Sequence, residues 1–131
     1  MDSGGSKQHF EVYVRQHFSA AHHLRGYPGK CEKPHGHNWI VDVYVRCDRL
    51  NNLGIGIDFN DIKAVVKSVL ERVDHCDLNE LADFADQNPS SENIAAFLYR
   101  EVSIALNAND VRVSKVRVCE TPGAGAPYWE D

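Results

Sequence analysis

Apolar and polar residues alternate at the start of the chain. Phe10, Val12, Val14, Gln16 and Phe18 fall on one side, and Glu11, Tyr13, Arg15 and His17 on the other. A period of two predicts a strand, which continues into Ser19-Ala20-Ala21-His22-His23. From Arg25 to Pro34, two glycines and two prolines mark a loop. Alternation resumes from His37 to Asp48, with Trp39, Val41, Val43 and Val45 on one face, and stops at a turn over Asn51 to Gly56. The period then changes. Ile62, Val65, Val66, Val69, Leu70 and Val73 recur at helical spacing, with Asp58 placed to cap the helix. Asp74-His75-Cys76-Asp77-Leu78-Asn79 lies at its exit, and Asp83 to Pro89 reads as polar loop. Ser90 or Ser91 caps a second helix carrying Ile94, Phe97, Leu98, Val102 and Ala105. Val111 to Glu120 predicts a third strand, and Thr121 to Asp131 a turn with a short fourth one.

The order β-β-α-α-β-β predicts an α+β fold: a four-stranded antiparallel sheet with two helices on one face. Ile40, Tyr44, Val116 and Val118 read as alternate positions. They would make the other face half apolar and suited to burial against another subunit. The 131 residues fit one domain over 9–131, preceded by a loose polar tail over 1–8.

Composition narrows the partners more than the fold. The formal charge of −5 provides no global field for nucleic acid or an anionic membrane. No apolar run approaches the roughly 20 residues of a membrane span, and none resembles a signal peptide. The four cysteines are irregularly spaced. Together these predict a reduced, cytoplasmic protein.

The candidate chemistry lies in Cys31-Glu32-Lys33-Pro34-His35-Gly36-His37. Histidines at i and i+2 on a strand leave the same face, so His35 and His37 can share one metal ion. Either His22 or His23 could supply a third imidazole. Three neutral imidazoles with one open position describe a catalytic zinc site, whereas an isolated His-x-His pair is as readily ordinary histidine. Cys31 sits in a loop rather than an apolar run, and a nearby cation would favour its thiolate. Asp74 and His75 are adjacent at a helix exit. They fit either a carboxylate orienting an imidazole that serves the thiol, or a helix C-terminus carrying a favourable cation. Glu120 ends a strand, where its carboxylate could take paired N–H donors from a heterocycle or simply be solvated. Arg25, Lys30 and Lys33 flank the loop as phosphate contacts or as ordinary loop charges.

Together, Phe18-Ser-Ala-Ala-His22, Cys31-x3-His35-Gly-His37-Asn38, Ile57-Asp58-Phe59, Asp74-His75-x2-Leu78-Asn79, Asn88-Pro89-Ser90-Ser91-Glu92-Asn93 and Glu120-Thr121 resemble the 6-pyruvoyltetrahydropterin synthase family, which includes the 6-carboxytetrahydropterin synthases of queuosine biosynthesis. The resemblance runs from about Phe10 to Tyr128. It implies zinc held by His22, His35 and His37, deciding between His22 and His23. It also implies Cys31 as the proton-abstracting group, with Asp74 and His75 as its relay. Glu120 would anchor the pterin's amino-pyrimidine edge, helped by Thr121 and by Ser90 and Ser91. The implied fold is the tunnelling T-fold. Three subunits close a barrel, and two trimers stack as a homohexamer with sites between subunits. The implied activity is a zinc-dependent lyase reaction on 7,8-dihydroneopterin triphosphate. It releases triphosphate and leaves a 6-carboxy- or 6-pyruvoyl-tetrahydropterin.

Glu32 departs from the usual pattern. Some family members carry a glutamate three residues before His-Gly-His, often instead of the cysteine, and cleave dihydroneopterin to 6-hydroxymethyl-dihydropterin for folate synthesis. This chain has both Cys31 and Glu32 and resembles a subgroup with both determinants. Aldolase-like cleavage through Glu32 is therefore the alternative activity. A non-catalytic pterin-binding barrel is the third.

Overall fold

The computed structural model describes residues 8–27, 29 and 33–131. Most of the expected tail, together with Lys30, Cys31 and Glu32, lies outside the described residues. Two long strands, β1 (Phe10–His22) and β2 (His35–Cys47), are followed by helix α1 (Phe59–Leu70) and a two-residue strand β3 (Cys76–Asp77). Short 3-10 turns (Leu78–Glu80, Ala82–Phe84) lead to helix α2 (Ser91–Leu106), then β4 (Val111–Thr121) and β5 (Ala124–Tyr128).

The helices start where capping chemistry places them. The Asp58 carboxylate accepts from the Asn60 N–H, and the Ser90 hydroxyl oxygen accepts from the Asn93 N–H. This settles the choice between Ser90 and Ser91. Ile62, Val66, Val69 and Leu70 of α1, and Ile94, Ala95, Phe97, Leu98 and Val102 of α2, join one core with Val14, Phe18, Trp39, Val41, Val43 and Val45 of the sheet. Both helices thus cover one face, as their periodicity predicts.

The sheet differs from expectation in three respects. It has five strands in the order β3-β1-β2-β4-β5, and it is mixed, because β3 runs parallel to β1 through Ala20–Cys76 and Ala21–Asp77. Two residues carry no periodicity, so a strand that short leaves no sequence signal.

Second, Val116 and Val118 do not belong to the outer face. They sit opposite Val43 and Val41 and are completely buried in the core. A bulge at Tyr44/Val45 lets Val113 share that face with them, which a fixed period of two does not anticipate. The outer face instead carries Tyr13 stacked on Tyr44, Lys115 over the Tyr44 ring, and Arg15 paired with a buried Asp42. It is basic and aromatic more than apolar, which removes the apolar-face argument for a second subunit.

Third, the polar stretch over 83–89 contains Phe84, which is completely buried against Phe97.

Candidate metal centre

Register assembles the site. β1 and β2 are antiparallel, with His22 opposite His35, Ala20 opposite His37 and Phe18 opposite Trp39. Even positions of β1 and odd positions of β2 share the helix-covered face, so all three imidazoles emerge on it together. Their ligand nitrogens lie within 4.8 Å of one another. Trp39 forms the floor. It is fully buried, donates its indole N–H to the Ala20 carbonyl at 3.2 Å, and meets the His22 and His37 rings edge-on at 4.8 and 5.2 Å.

Two of the rings are oriented from behind. The His22 Nδ1–H donates to the Pro89 carbonyl and the His35 Nδ1–H to the Lys33 carbonyl, each at 2.7 Å. A carbonyl only accepts, so Nδ1 carries the proton and the Nε2 lone pair is left for a ligand. His22 is 1% exposed, and burial holds its pKa below the usual histidine value, which favours the neutral form a metal requires. The Nε2 atoms of His22 and His37 are buried without a hydrogen-bond partner among the described residues. Two such nitrogens aimed at one point are costly unless something there accepts their lone pairs. Three imidazoles with this orientation fit a zinc-type ion.

The Glu120 carboxylate faces the same point. Its Oε1 lies 3.7 Å from His22 Nε2 and its Oε2 3.8 Å from His37 Nε2, beyond hydrogen-bond range. A sequence reading that gives Glu120 to the substrate alone does not anticipate this proximity.

His23 points elsewhere. Its backbone N–H and carbonyl are both held by the Asn79 side-chain amide, at 2.8 and 3.0 Å. Asn88 does the same for Arg25, at 2.8 and 3.1 Å. The Arg25 guanidinium reaches back to the carbonyls of Phe84, Ala85 and Gln87. Of the two readings open for Arg25, the structure favours the loop charge, because its donors are engaged by backbone. These three residues brace the segment that follows His22 and the loop that ends at Pro89. The Asp-His-x2-Leu-Asn and Asn-Pro motifs contain both asparagines, but nothing in their spacing shows which backbone they hold.

The Asp74–His75 pair is formed, and His75 lines a pocket together with Ser19, Ala21, Gly36, His37 and Asn38. Asp74 Oδ1 accepts the Ser19 N–H at 2.9 Å and lies 3.0 Å from His75 Nδ1. The Ser19 N–H, then His75, keep the Asp74 pKa below the usual carboxylate value. His75 adopts φ +57°, a left-handed conformation unusual for a side chain other than glycine, and its imidazole is 81% exposed. Its backbone N–H donates to the Ser19 carbonyl, so the strained residue is tied to the strand that carries His22. Ser90 is committed to capping α2, Ser91 is buried, and Thr121 is exposed beside Glu120. Cys31 and Glu32 fall outside the described residues.

Residues 11–131 match the sequence profile of the family described as 6-pyruvoyl tetrahydropterin synthase. A 6-carboxy-5,6,7,8-tetrahydropterin synthase of Synechocystis is 32% identical, covering 90% of this chain and 92% of the relative. One from Bacillus subtilis is also 32% identical, covering 91% and 84%. Among solved structures, the Caenorhabditis elegans 6-pyruvoyl tetrahydropterin synthase superposes with a TM-score of 0.82 at 25% identity, covering 95% of this chain and 97% of that one. A match that runs through the histidine cluster, the Asp-His pair and Glu120 to the final residue leaves one assignment: the chain belongs to the 6-pyruvoyl tetrahydropterin synthase family.

Proposed function

We propose that this protein is a zinc-dependent lyase that converts 7,8-dihydroneopterin triphosphate to 6-carboxy-5,6,7,8-tetrahydropterin, with release of triphosphate and of the two distal side-chain carbons as a two-carbon aldehyde. The observation that carries this reading is the cluster of His22, His35 and His37, in which the Nε2 atoms of His22 and His37 are buried and have no partner among the described residues. The two relatives cited at 32% identity are both 6-carboxytetrahydropterin synthases, which favours the carboxy product over the pyruvoyl one.

His22, His35 and His37 would hold the zinc, whose contribution is Lewis-acid polarisation of the substrate's side-chain hydroxyls. Cys31 removes a proton from the carbon beside a polarised hydroxyl. Asp74 holds His75 ready to exchange protons with that centre. Glu120 takes the paired N–H donors of the amino-pyrimidine ring and thereby sets where the C6 side chain lies. Thr121, Ser90 and Ser91 line the approach. The exposure of the Asp74–His75 pair suits a site completed between subunits of a homohexamer. Light scattering on the eluting protein tests this, and a monomer would remove it.

Product analysis on zinc-loaded protein tests the chemistry, with dihydroneopterin and its triphosphate supplied to wild type, Cys31→Ala and Glu32→Ala. Carboxypterin formation that survives Cys31→Ala would overturn the role of the thiol. Hydroxymethylpterin formed by wild type and lost in Glu32→Ala would establish the aldolase-like reaction instead, or alongside. No turnover of either substrate would leave a pterin-binding barrel.

A further inference from the structure

Among the described residues, Glu120 is the carboxylate that faces two of the clustered imidazoles, and the proposed function assigns it to the substrate. Its geometry toward the histidines is specific. Two ligands on one tetrahedral zinc, at bond lengths near 2.1 Å, are separated by about 3.4 Å. The Glu120 oxygens stand 3.7 and 3.8 Å from the Nε2 atoms of His22 and His37. That is too long for a hydrogen bond and within a few tenths of an ångström of the separation between ligands on a shared ion. Both nitrogens are otherwise unpartnered among the described residues, and the carboxylate is only 34% exposed. Three imidazoles and one carboxylate make a closed donor set of the kind that holds zinc without an open position.

We propose that Glu120 is the fourth metal ligand of the substrate-free protein. On pterin binding it leaves the ion to hold the amino-pyrimidine edge. The proposal rests on the pterin reading and adds a coupling to it. The carboxylate cannot serve both partners at once, so the ring's N–H donors compete with the metal for it. Docking of the ring then opens the coordination position that a side-chain hydroxyl of the substrate fills. No charge or electron is transferred. One oxygen ligand leaves the ion and another, from water or from substrate, replaces it. A ligand without the pyrimidine edge leaves the metal closed, which excludes adventitious hydroxyl compounds from a Lewis-acidic ion. The position of Glu120 explains how this is possible. It is the penultimate residue of β4 and follows Cys119, which sits opposite Ile40, so its side chain reaches along the sheet toward the β2 histidines while its carboxylate remains partly accessible.

Cobalt(II) substitution reads the donor set directly through its visible absorption. Apo protein is loaded with cobalt and titrated with a pterin that lacks a C6 side chain. This probe presents the pyrimidine edge and nothing to coordinate. The wild-type spectrum should change on binding. Glu120→Gln should show an altered spectrum before any ligand is added, a weakening of metal affinity of about tenfold or more by chelator competition, and no further spectral change with the probe. Glu120→Asp, which keeps the charge on a shorter arm, guards against a folding defect and should weaken metal affinity less. Probe binding, followed by quenching of its fluorescence, without any change in the cobalt spectrum overturns the switch and leaves the pterin reading intact. Failure of the probe to bind overturns the pterin reading itself. A cobalt spectrum and metal affinity in Glu120→Gln identical to wild type remove Glu120 from the metal.

Discussion

Arg25 offers a direct test of what orients the metal ligands. Its guanidinium donates to three carbonyls, those of Phe84, Ala85 and Gln87, in the turn that ends at Pro89. The Pro89 carbonyl fixes the His22 imidazole. In Arg25→Ala the three carbonyls turn to water. The loop is largely exposed, so each bond is worth about 0.5–1 kcal/mol net rather than the larger value of a buried charged pair. The sum is about 1.5–3 kcal/mol. For a domain of this size that lowers the melting temperature by roughly 5–12 °C.

The Asn88 clamp survives, because it holds the backbone of residue 25 and not its side chain. The loop therefore loosens rather than unfolds. A freer Pro89 carbonyl orients His22 less firmly, and zinc affinity should fall by up to about tenfold. Calorimetry of the apo protein and chelator competition measure the two effects. Arg25→Lys, with one ammonium for three acceptors, should fall between. The reasoning fails if Arg25→Ala keeps its melting temperature and zinc affinity while KM rises for the triphosphate substrate alone. That result would return Arg25 to phosphate binding.

Three further outcomes follow from the structure. The carboxylate of Asp42 is 1% exposed beneath Arg15, whose own side chain is 52% exposed. Removing the arginine strands a buried charge, and removing the carboxylate does not. In urea titrations Arg15→Met should therefore cost roughly 3 kcal/mol and Asp42→Asn about 1; equal costs would deny the asymmetry. A Cβ on Gly125 would stand 2.3 Å from Cys119 Sγ and 2.7 Å from the Val118 carbonyl oxygen. Gly125→Ala should destabilise by about 2 kcal/mol. Cys119→Ala should rescue only part of this, because the backbone clash remains, and full rescue would place the whole conflict at sulfur. The Asp74 carboxyl has a folded pKa below its ordinary 3.8, mainly through the Ser19 N–H. The unfolded chain thus binds its proton first as pH falls. Its stabilising contribution is present above that pH and lost below it. Asp74→Asn should flatten the acid side of the melting-temperature profile between about pH 5 and 3, and parallel profiles would refute the assignment.

What was legible in the sequence tracks how regular the backbone is. β1, β2, both helices and the capping residue Asp58 follow from periodicity and cap chemistry. His35 and His37 were readable as one ligand pair because they ride on a strand. The parallel strand β3, the buried Phe84 and the core placement of Val116 and Val118 were not. Each depends on a bulge, a two-residue bridge or a turn that interrupts the period. The same division runs through the site. The three clustered histidines follow from spacing plus the family resemblance. The clamps by Asn79 and Asn88 and the proximity of Glu120 to the imidazoles depend on which strands and loops the folded chain brings side by side.

The two halves of the site therefore differ in what sets their geometry. The imidazole cluster is fixed by register. A slip of one residue between β1 and β2 would turn Trp39, Val41, Val43 and Val45 out of the core, so the burial that selects the register also aligns His22 with His35 and His37. The Asp74–His75 pair has no such constraint. It follows α1 at a residue held at positive φ, and among the described residues it is secured by Ser19, by the Leu70 carbonyl that accepts the Asp74 N–H, and by two residues of parallel pairing to Ala20 and Ala21. Weakening the core should disturb the metal ligands and the fold together. Weakening the β3 bridge, for example by Cys76→Pro, should displace His75 while zinc affinity and most of the stability persist. Loss of zinc in that variant would mean that the β1 edge, and not the β1–β2 register, holds the ligands in place.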